Sequence, residues 1–453
     1  MVQYPFVVAP REFAARRRMR TSKYRYQRLH QELPKSFGKY RTRQCLFSIK
    51  IMIKRYPFFS VILVVLLAGC PGKPTEKPSS PSGQTESVAV DEAAKPKAYF
   101  SEGKTPTEDE LVEIAKQTDL ESLRLLRARN MNDSMVESLK GLTQLKTLAI
   151  TNSGITDAAV KTIAESFPNL VELDLSSNAK LTDKSLTEIA KLKKLQRFSA
   201  VLCDFGEFGM LDISKIKTLT VLDIRGNVTI GNTGLDFIAT LPKLRVFKHR
   251  SQAVDDMGLE VLLQAKNLET LEIQDFSISD QSGESLRQFE KLTFLSVFRC
   301  PGFGSEGVLA LKEMKLTRLI LRGLPSFRDD GMEALKEMTS LRNLLLRELD
   351  SVTDEGMKNL AGLTNLEVLF VSDMAITDQT VEVIAKLPNI KDLTIQSTAI
   401  SDAAVEMILS MPKLERLTLR NNSEVTETGK RKLDTKKFKY LNIKDSGSTE
   451  SSE

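Results

Sequence analysis

The 453-residue chain has no tryptophan, two histidines and four cysteines, and aromatic side chains make up 6% of it. Only His249 lies beyond residue 70, so imidazole acid–base chemistry and a zinc site built on several histidines lack donors. No Cys-x-x-Cys pair and no phosphate-cradling glycine loop occurs. The expectation is a non-enzymatic chain with no catalytic residue, no metal and no cofactor. The net charge of +6 is unevenly distributed. Residues 1–50 hold thirteen Lys/Arg against Glu12 and Glu32, whereas from residue 70 onward fifty basic residues face fifty-seven acidic ones. A nucleic-acid binder would show the opposite balance in its folded part, so no nucleic-acid partner is expected.

Within residues 52–70, Lys54 and Arg55 precede an apolar run from Phe58 to Leu67, then Ala68, Gly69 and Cys70. The run falls short of the roughly 20 residues that a membrane-spanning helix needs, and has the layout of a secretory signal. Leu67-Ala68-Gly69-Cys70 resembles the lipobox of bacterial lipoproteins. That resemblance implies a signal over 52–69 and a lipid anchor on Cys70; the alternative is an ordinary signal or anchor with a chance cysteine. Residues 1–51 are basic, with Arg16-Arg17-Arg18, and lack a helical or strand period. They read as an upstream extension from a misplaced start, translation then beginning at Met52, or as a cytoplasmic tail. Residues 70–106, with Pro71, Pro74, Pro78 and Pro81, read as a tether too poor in apolar residues to order itself.

Beyond the tether the chain repeats itself. The pattern L-x-x-L-x-L recurs fourteen times, from Leu120 to Phe438, at spacings of 24 or 25 residues. Leu170-x-x-Leu173-x-Leu175 and Leu341-x-x-Leu344-x-Leu346 are clear instances. Each is followed by a second half such as Ile155-Thr156-Asp157 or Val352-Thr353-Asp354, then by apolar residues at helical spacing. The aspartate column, including Asp157, Asp183, Asp354, Asp378 and Asp402, reads as helix N-caps. These assignments predict an α/β solenoid over residues 107–445, with parallel strands on a concave face and helices of two to three turns outside. Helices are wider than the strand spacing of about 4.8 Å, so stacked units must curve. Thr107 and Glu110 predict a capping box on a helix closing the N-terminal end. Residues 446–453 read as a disordered tail.

This grammar resembles the cysteine-containing leucine-rich repeats, L-x-x-L-x-L-x-x-C-x-x-I-T-D-x-G-L, found in F-box substrate receptors and in secreted bacterial repeat proteins. Cys203 and Cys300 hold the cysteine column and Asn178, Asn227 and Asn422 replace it elsewhere. With the signal, the likeness extends to leucine-rich-repeat lipoproteins of bacteria such as planctomycetes, and implies a horseshoe that binds a protein. The two cysteines, four repeats apart, should be buried thiols, and His249, at an inward strand position, a satisfied core residue.

Outward strand positions carry the candidate binding site. Arg225, Arg250, Arg322, Arg347 and Arg420 share one column, and Phe294, Phe298, Ile320, Leu345 and Phe370 cluster on repeats eight to eleven. An apolar cluster on a solvated face marks a contact site, with Arg322 and Arg347 expected to meet acidic or backbone groups of the partner. The expected function is a membrane-tethered extracytoplasmic scaffold, facing the periplasm or exterior, that binds a protein or peptide on its concave face. The alternative is an intracellular substrate adaptor of the F-box type without the F-box.

Overall fold

The computed structural model describes residues 97–443; the extension, the signal, Cys70, most of the tether and the tail lie outside the described residues. The fourteen repeats each begin with a short strand, and one further strand precedes them. In order these are β1 (Ala98–Glu102), β2 (Ser122–Leu126), β3 (Thr147–Ile150), β4 (Glu172–Asp174) and β5 (Arg197–Ser199). Then come β6 (Val221–Asp223), β7 (Val246–Arg250), β8 (Thr270–Gln274), β9 (Phe294–Phe298) and β10 (Arg318–Arg322). The last are β11 (Asn343–Arg347), β12 (Val368–Ser372), β13 (Asp392–Gln396), β14 (Arg416–Arg420) and β15 (Tyr440–Asn442). All fifteen pair in parallel, in chain order, in a single sheet. The repeat is therefore an α/β solenoid unit, as its period implied.

Strand β1 corrects the expected boundary, because the ordered unit starts before residue 107. Its sequence lacks the leucine pattern, yet it pairs in register with β2, and Tyr99 packs against the core. The capping box forms as expected: Thr107 Oγ1 accepts from Glu110 N–H and Glu110 accepts from Thr107 N–H. Leu111 and Ile114 on that helix (Glu108–Ala115) are buried over the first repeat.

Alternation decides what each strand buries. In β11, Leu344 and Leu346 are buried while Asn343, Leu345 and Arg347 face outward. The inward leucines, with apolar residues from the helices, form one continuous core. Several helices are shorter than the expected two to three turns, such as Ser282–Leu286, and Gly331–Lys336 is a 3₁₀ turn. A unit of 24 or 25 residues must also return to the next strand, and 3₁₀ winding, with its larger rise per residue, covers that distance with fewer residues.

The aspartate column does something other than capping. The N-cap is the preceding residue: Thr156, Thr182, Thr353, Thr377 and Ser401 each accept a backbone N–H of their own helix through the side-chain oxygen. Asp157, Asp183, Asp354, Asp378 and Asp402 sit one residue later and reach forward to the next repeat. Asp157 accepts from Thr182 N–H, Asp183 from Gly206, Asp354 from Thr377, Asp378 from Ser401 and Asp402 from Thr426. Asp133, Glu207, Asn232, Asp256, Asp280, Ser305 and Asp329 make the same bond to the repeats that follow them. Twelve such bonds, 2.6–3.2 Å long, run unbroken from Asp133 to Thr426. Where the next cap is Thr or Ser, its hydroxyl also donates to the second carboxylate oxygen, as Thr377 does to Asp354. The close approach leaves little room: a Cβ at Gly356 would run into Asp329 Oδ1.

For Asp354, burial works against ionisation, yet hydrogen bonds from Thr377 and Thr380 outweigh it and hold the carboxyl below its ordinary range. His249 shows the opposite behaviour. It is fully buried in place of a strand leucine, with Nε2 2.9 Å from Ile230 O and Nδ1 3.4 Å from Ile224 O, both in the preceding repeat. Burial pushes its pKa down to about 4 despite those carbonyls. Cys203 and Cys300 are free, fully buried thiols, raised by burial to about 11 and about 12. Asn178 and Asn227 use their amides instead to bridge carbonyls of their own and the preceding repeat.

Two outcomes follow for stability. Asp354→Ala removes an acceptor of four hydrogen bonds and should lower unfolding free energy in urea by about 2 kcal/mol. A loss within the ~0.5 kcal/mol of an ordinary surface change would contradict the inter-repeat role. For His249, whose pKa falls on folding from 6.5 to about 4, the unfolded chain takes up the proton first as pH drops. Its stabilising effect is complete above the unfolded value and is lost between about pH 6.5 and 4, by about 3 kcal/mol at most. His249→Leu should therefore flatten the fall in melting temperature between about pH 7 and 4.5, and an unchanged slope would refute the assignment.

Candidate binding face

A parallel sheet is ordinarily covered on both faces. Here helices cover one, and the other presents three rows of outward side chains across the strands. The middle row reads Arg124, Ala149, Asp174, Ser199, Asp223, Lys248, Glu272 and Ser296 over β2 to β9, then Ile320, Leu345, Phe370, Thr394 and Thr418 over β10 to β14. Five of its first eight members are charged and none of its last five is.

The charged half is occupied with itself. Arg124 and Arg197 both approach Glu172, at 2.8 and 3.5 Å. Arg225 grips Asp223 through two nitrogens and lies 3.8 Å from Glu272, which also holds Lys248. Asp174 has Ser176 as its hydrogen-bond donor, and burial pushes its carboxyl above the ordinary range. A surface so neutralised offers little net field to a charged ligand.

The second half gathers the residues singled out in the sequence. Ile320, Leu345 and Phe370 pair directly with one another on β10, β11 and β12, and all are half-buried. Phe298 is flanked by two guanidinium groups, Arg299 at 4.5 Å and Arg322 at 4.2 Å from its ring centre, and Phe294 carries Arg318 at 4.3 Å. Arg322 and Arg347 share the expected column and are neighbours across β10 and β11. Both already have carboxylate neighbours within the chain. Arg322 Nη2 lies 2.8 Å from Glu348, and Arg347 Nε lies 3.2 Å from both Glu348 and Asp373. Those carboxylates sit at the turn after each strand, where Glu348 and Asp373 adopt left-handed backbone with φ of 53° and 56°. The turn swings them back beside the arginine column. Sequence reasoning missed Arg318, which stands in the first outward row rather than in the arginine column.

Two segments, residues 168–190 and 215–239, match the family model described as Leucine Rich repeat. A Caenorhabditis elegans protein, EEED8.10, whose name gives RNA binding as its provisional role, is 27% identical over 146 residues, which are 31% of this chain. The chain spans only 20% of that protein's length. Among solved structures, an internalin of Listeria monocytogenes is 19% identical, covers 69% of this chain and 88% of its own, with a TM-score of 0.45. The Rad7 and Elc1 complex of yeast contributes a chain 18% identical, covering 75% of this chain and 88% of that one, with a TM-score of 0.45. A leucine-rich-repeat protein of Leptospira interrogans is 19% identical over 71% of this chain and 83% of its own, with a TM-score of 0.44. The regular 24- and 25-residue unit and the single parallel sheet form a leucine-rich-repeat solenoid, and two of its segments match that family model.

Proposed function

We propose that the protein is a membrane-tethered, extracytoplasmic scaffold that binds a protein or peptide along the C-terminal half of its concave face. The observation that carries this reading is the apolar row Ile320–Leu345–Phe370 on the uncovered side of the sheet. These side chains point away from the core, so folding alone does not require them. Leaving apolar area in water costs about 25 cal/mol per Å², which a partner covering the row would recover. Phe294 and Phe298 extend the apolar area on β9, while Arg322 and Arg347, held by their carboxylates, form a stiff polar rim. Because most cations of the open face are paired within the sheet, a protein partner suits it better than a nucleic acid.

The tether and the compartment rest on the sequence of residues 52–70, where the signal-like run ends at Cys70. An intracellular adaptor would have no use for such a segment. The lipid anchor on Cys70, an origin in a bacterial envelope and the start at Met52 belong to the same proposal.

Two experiments test it. The intact mass of the membrane-extracted protein should correspond to a chain beginning at Cys70 with a diacylglycerol on its thiol; a chain beginning at Met1 with a free Cys70 would sink the anchoring. For the face, a photo-reactive residue in place of Phe370 should crosslink a discrete partner protein in intact cells, whereas one in place of Glu188 on the helical side should not. Binding of that partner should weaken about tenfold or more in Phe370→Ser and Leu345→Ser, with melting temperature nearly unchanged. Crosslinks of equal yield from both positions, or unfolding of both variants, would contradict the assignment.

A further inference from the structure

Arg318 differs from the other arginines of the open face. Arg124, Arg225, Arg250, Arg322, Arg347 and Arg416 each pair with a carboxylate. Arg318 is half-buried against the ring of Phe294, 4.3 Å from its centre, and among the described residues no carboxylate forms an ion pair with it. No hydrogen bond engages its side chain there either, so its N–H donors have no acceptor among the described residues. Partial burial lowers its pKa, with only the more distant charge of Glu272 acting the other way. A desolvated cation without a counter-ion is unfavourable, and a ligand anion is what would relieve it.

The surroundings narrow the anion. Ile320 lies two residues along on the same face of β10, and Leu345 and Phe370 continue that row on the next two strands. Phe294 and Asn343 flank Arg318 in its own row, Val368 lies beyond Asn343, and none of them brings a second cation. A nucleic-acid backbone, with charge repeated along its length, would call for several unpaired cations side by side. One guanidinium beside an apolar row suits a single carboxylate carried by an otherwise apolar segment, since the planar fork matches a carboxylate with two parallel hydrogen bonds. The sheet continues through β14 on one side and back to β2 on the other, so a chain can pass across the site without ending there.

We propose that Arg318 anchors the ligand: it takes the side-chain carboxylate of an aspartate or glutamate within an extended partner segment, whose neighbouring apolar side chains lie along Ile320, Leu345 and Phe370. This proposal rests on the concave-face reading above, and its test separates the two. The full chain is used to select from a phage-displayed random dodecapeptide library, and enriched sequences are resynthesised with acetylated N-termini and amidated C-termini. The expected result is a consensus acid flanked by Leu, Ile, Val or Phe that survives amidation. Replacing that acid by its amide, or making Arg318→Gln, should each weaken binding about tenfold, and the two together no more than either alone. Arg318→Lys should restore part of the loss, because it returns the charge without the fork.

If Phe370→Ser abolishes binding while Arg318→Gln leaves it unchanged, the concave face stands and the Arg318 assignment falls. A consensus that is basic, or that needs a free C-terminal carboxylate, overturns the assignment as well. Peptides that bind both variants as well as the unaltered chain, or no peptide enriched on the unaltered chain over the double variant, contradict the concave-face reading itself.

Discussion

No repeat in this molecule can stand alone, and the bond that ties each to the next is a side-chain oxygen accepting a backbone N–H at the entry to its neighbour's helix. That contact recurs at every step from Asp133 to Thr426. The strand ladder fixes spacing on one side of the solenoid, and this column fixes it where strands turn into helices. Both are needed, because a ladder of three to five residues would leave each unit free to rock. A unit's leucines are shielded only when the next unit is seated over them, so burial and stitching reinforce one another. The Thr and Ser caps link the two functions: one hydroxyl accepts from its own helix and donates to the previous repeat's carboxylate.

With register held along the core and the loop edge, the open face is released from structural duty. Its side chains need only remain soluble and compatible with their cross-strand neighbours. The N-terminal half meets that requirement with ion pairs that neutralise one another. Between β9 and β12 it meets it differently, with half-buried apolar residues and guanidinium groups laid over rings. The contrast along one sheet is what separates a contact surface from a solvated one here.

Much of the architecture was legible in the sequence because period and alternation are geometric quantities. A 24- or 25-residue spacing of leucines placed fourteen strands, and the alternation within each told Leu344 and Leu346 from Leu345. Strand β1 escaped because an end strand has only one neighbour and can do with Tyr99 where others need leucines. The aspartate column was found but misread. A residue at the start of a helix and a residue reaching across to the next repeat occupy nearly the same place in the unit, and one sequence does not separate them. The pairing of Arg322 and Arg347 was hidden for a similar reason: Glu348 and Asp373 become their partners only through the left-handed turn that follows each strand. Arg318 stood out only once its neighbours' partners were known, since an unpaired charge is defined by what surrounds it.

The claim on which the rest depends is that the twelve inter-repeat bonds hold the array as one body. Native-state hydrogen exchange at the cap amides, among them Thr156, Thr182, Thr353, Thr377, Ser401 and Thr426, measures this directly. The account predicts that these amides open with free energies near those of the strand amides beside them, although they lie in connecting segments. Exchange at the rates of unprotected loop amides would show that the stack is held by the sheet and the core alone, and would contradict it.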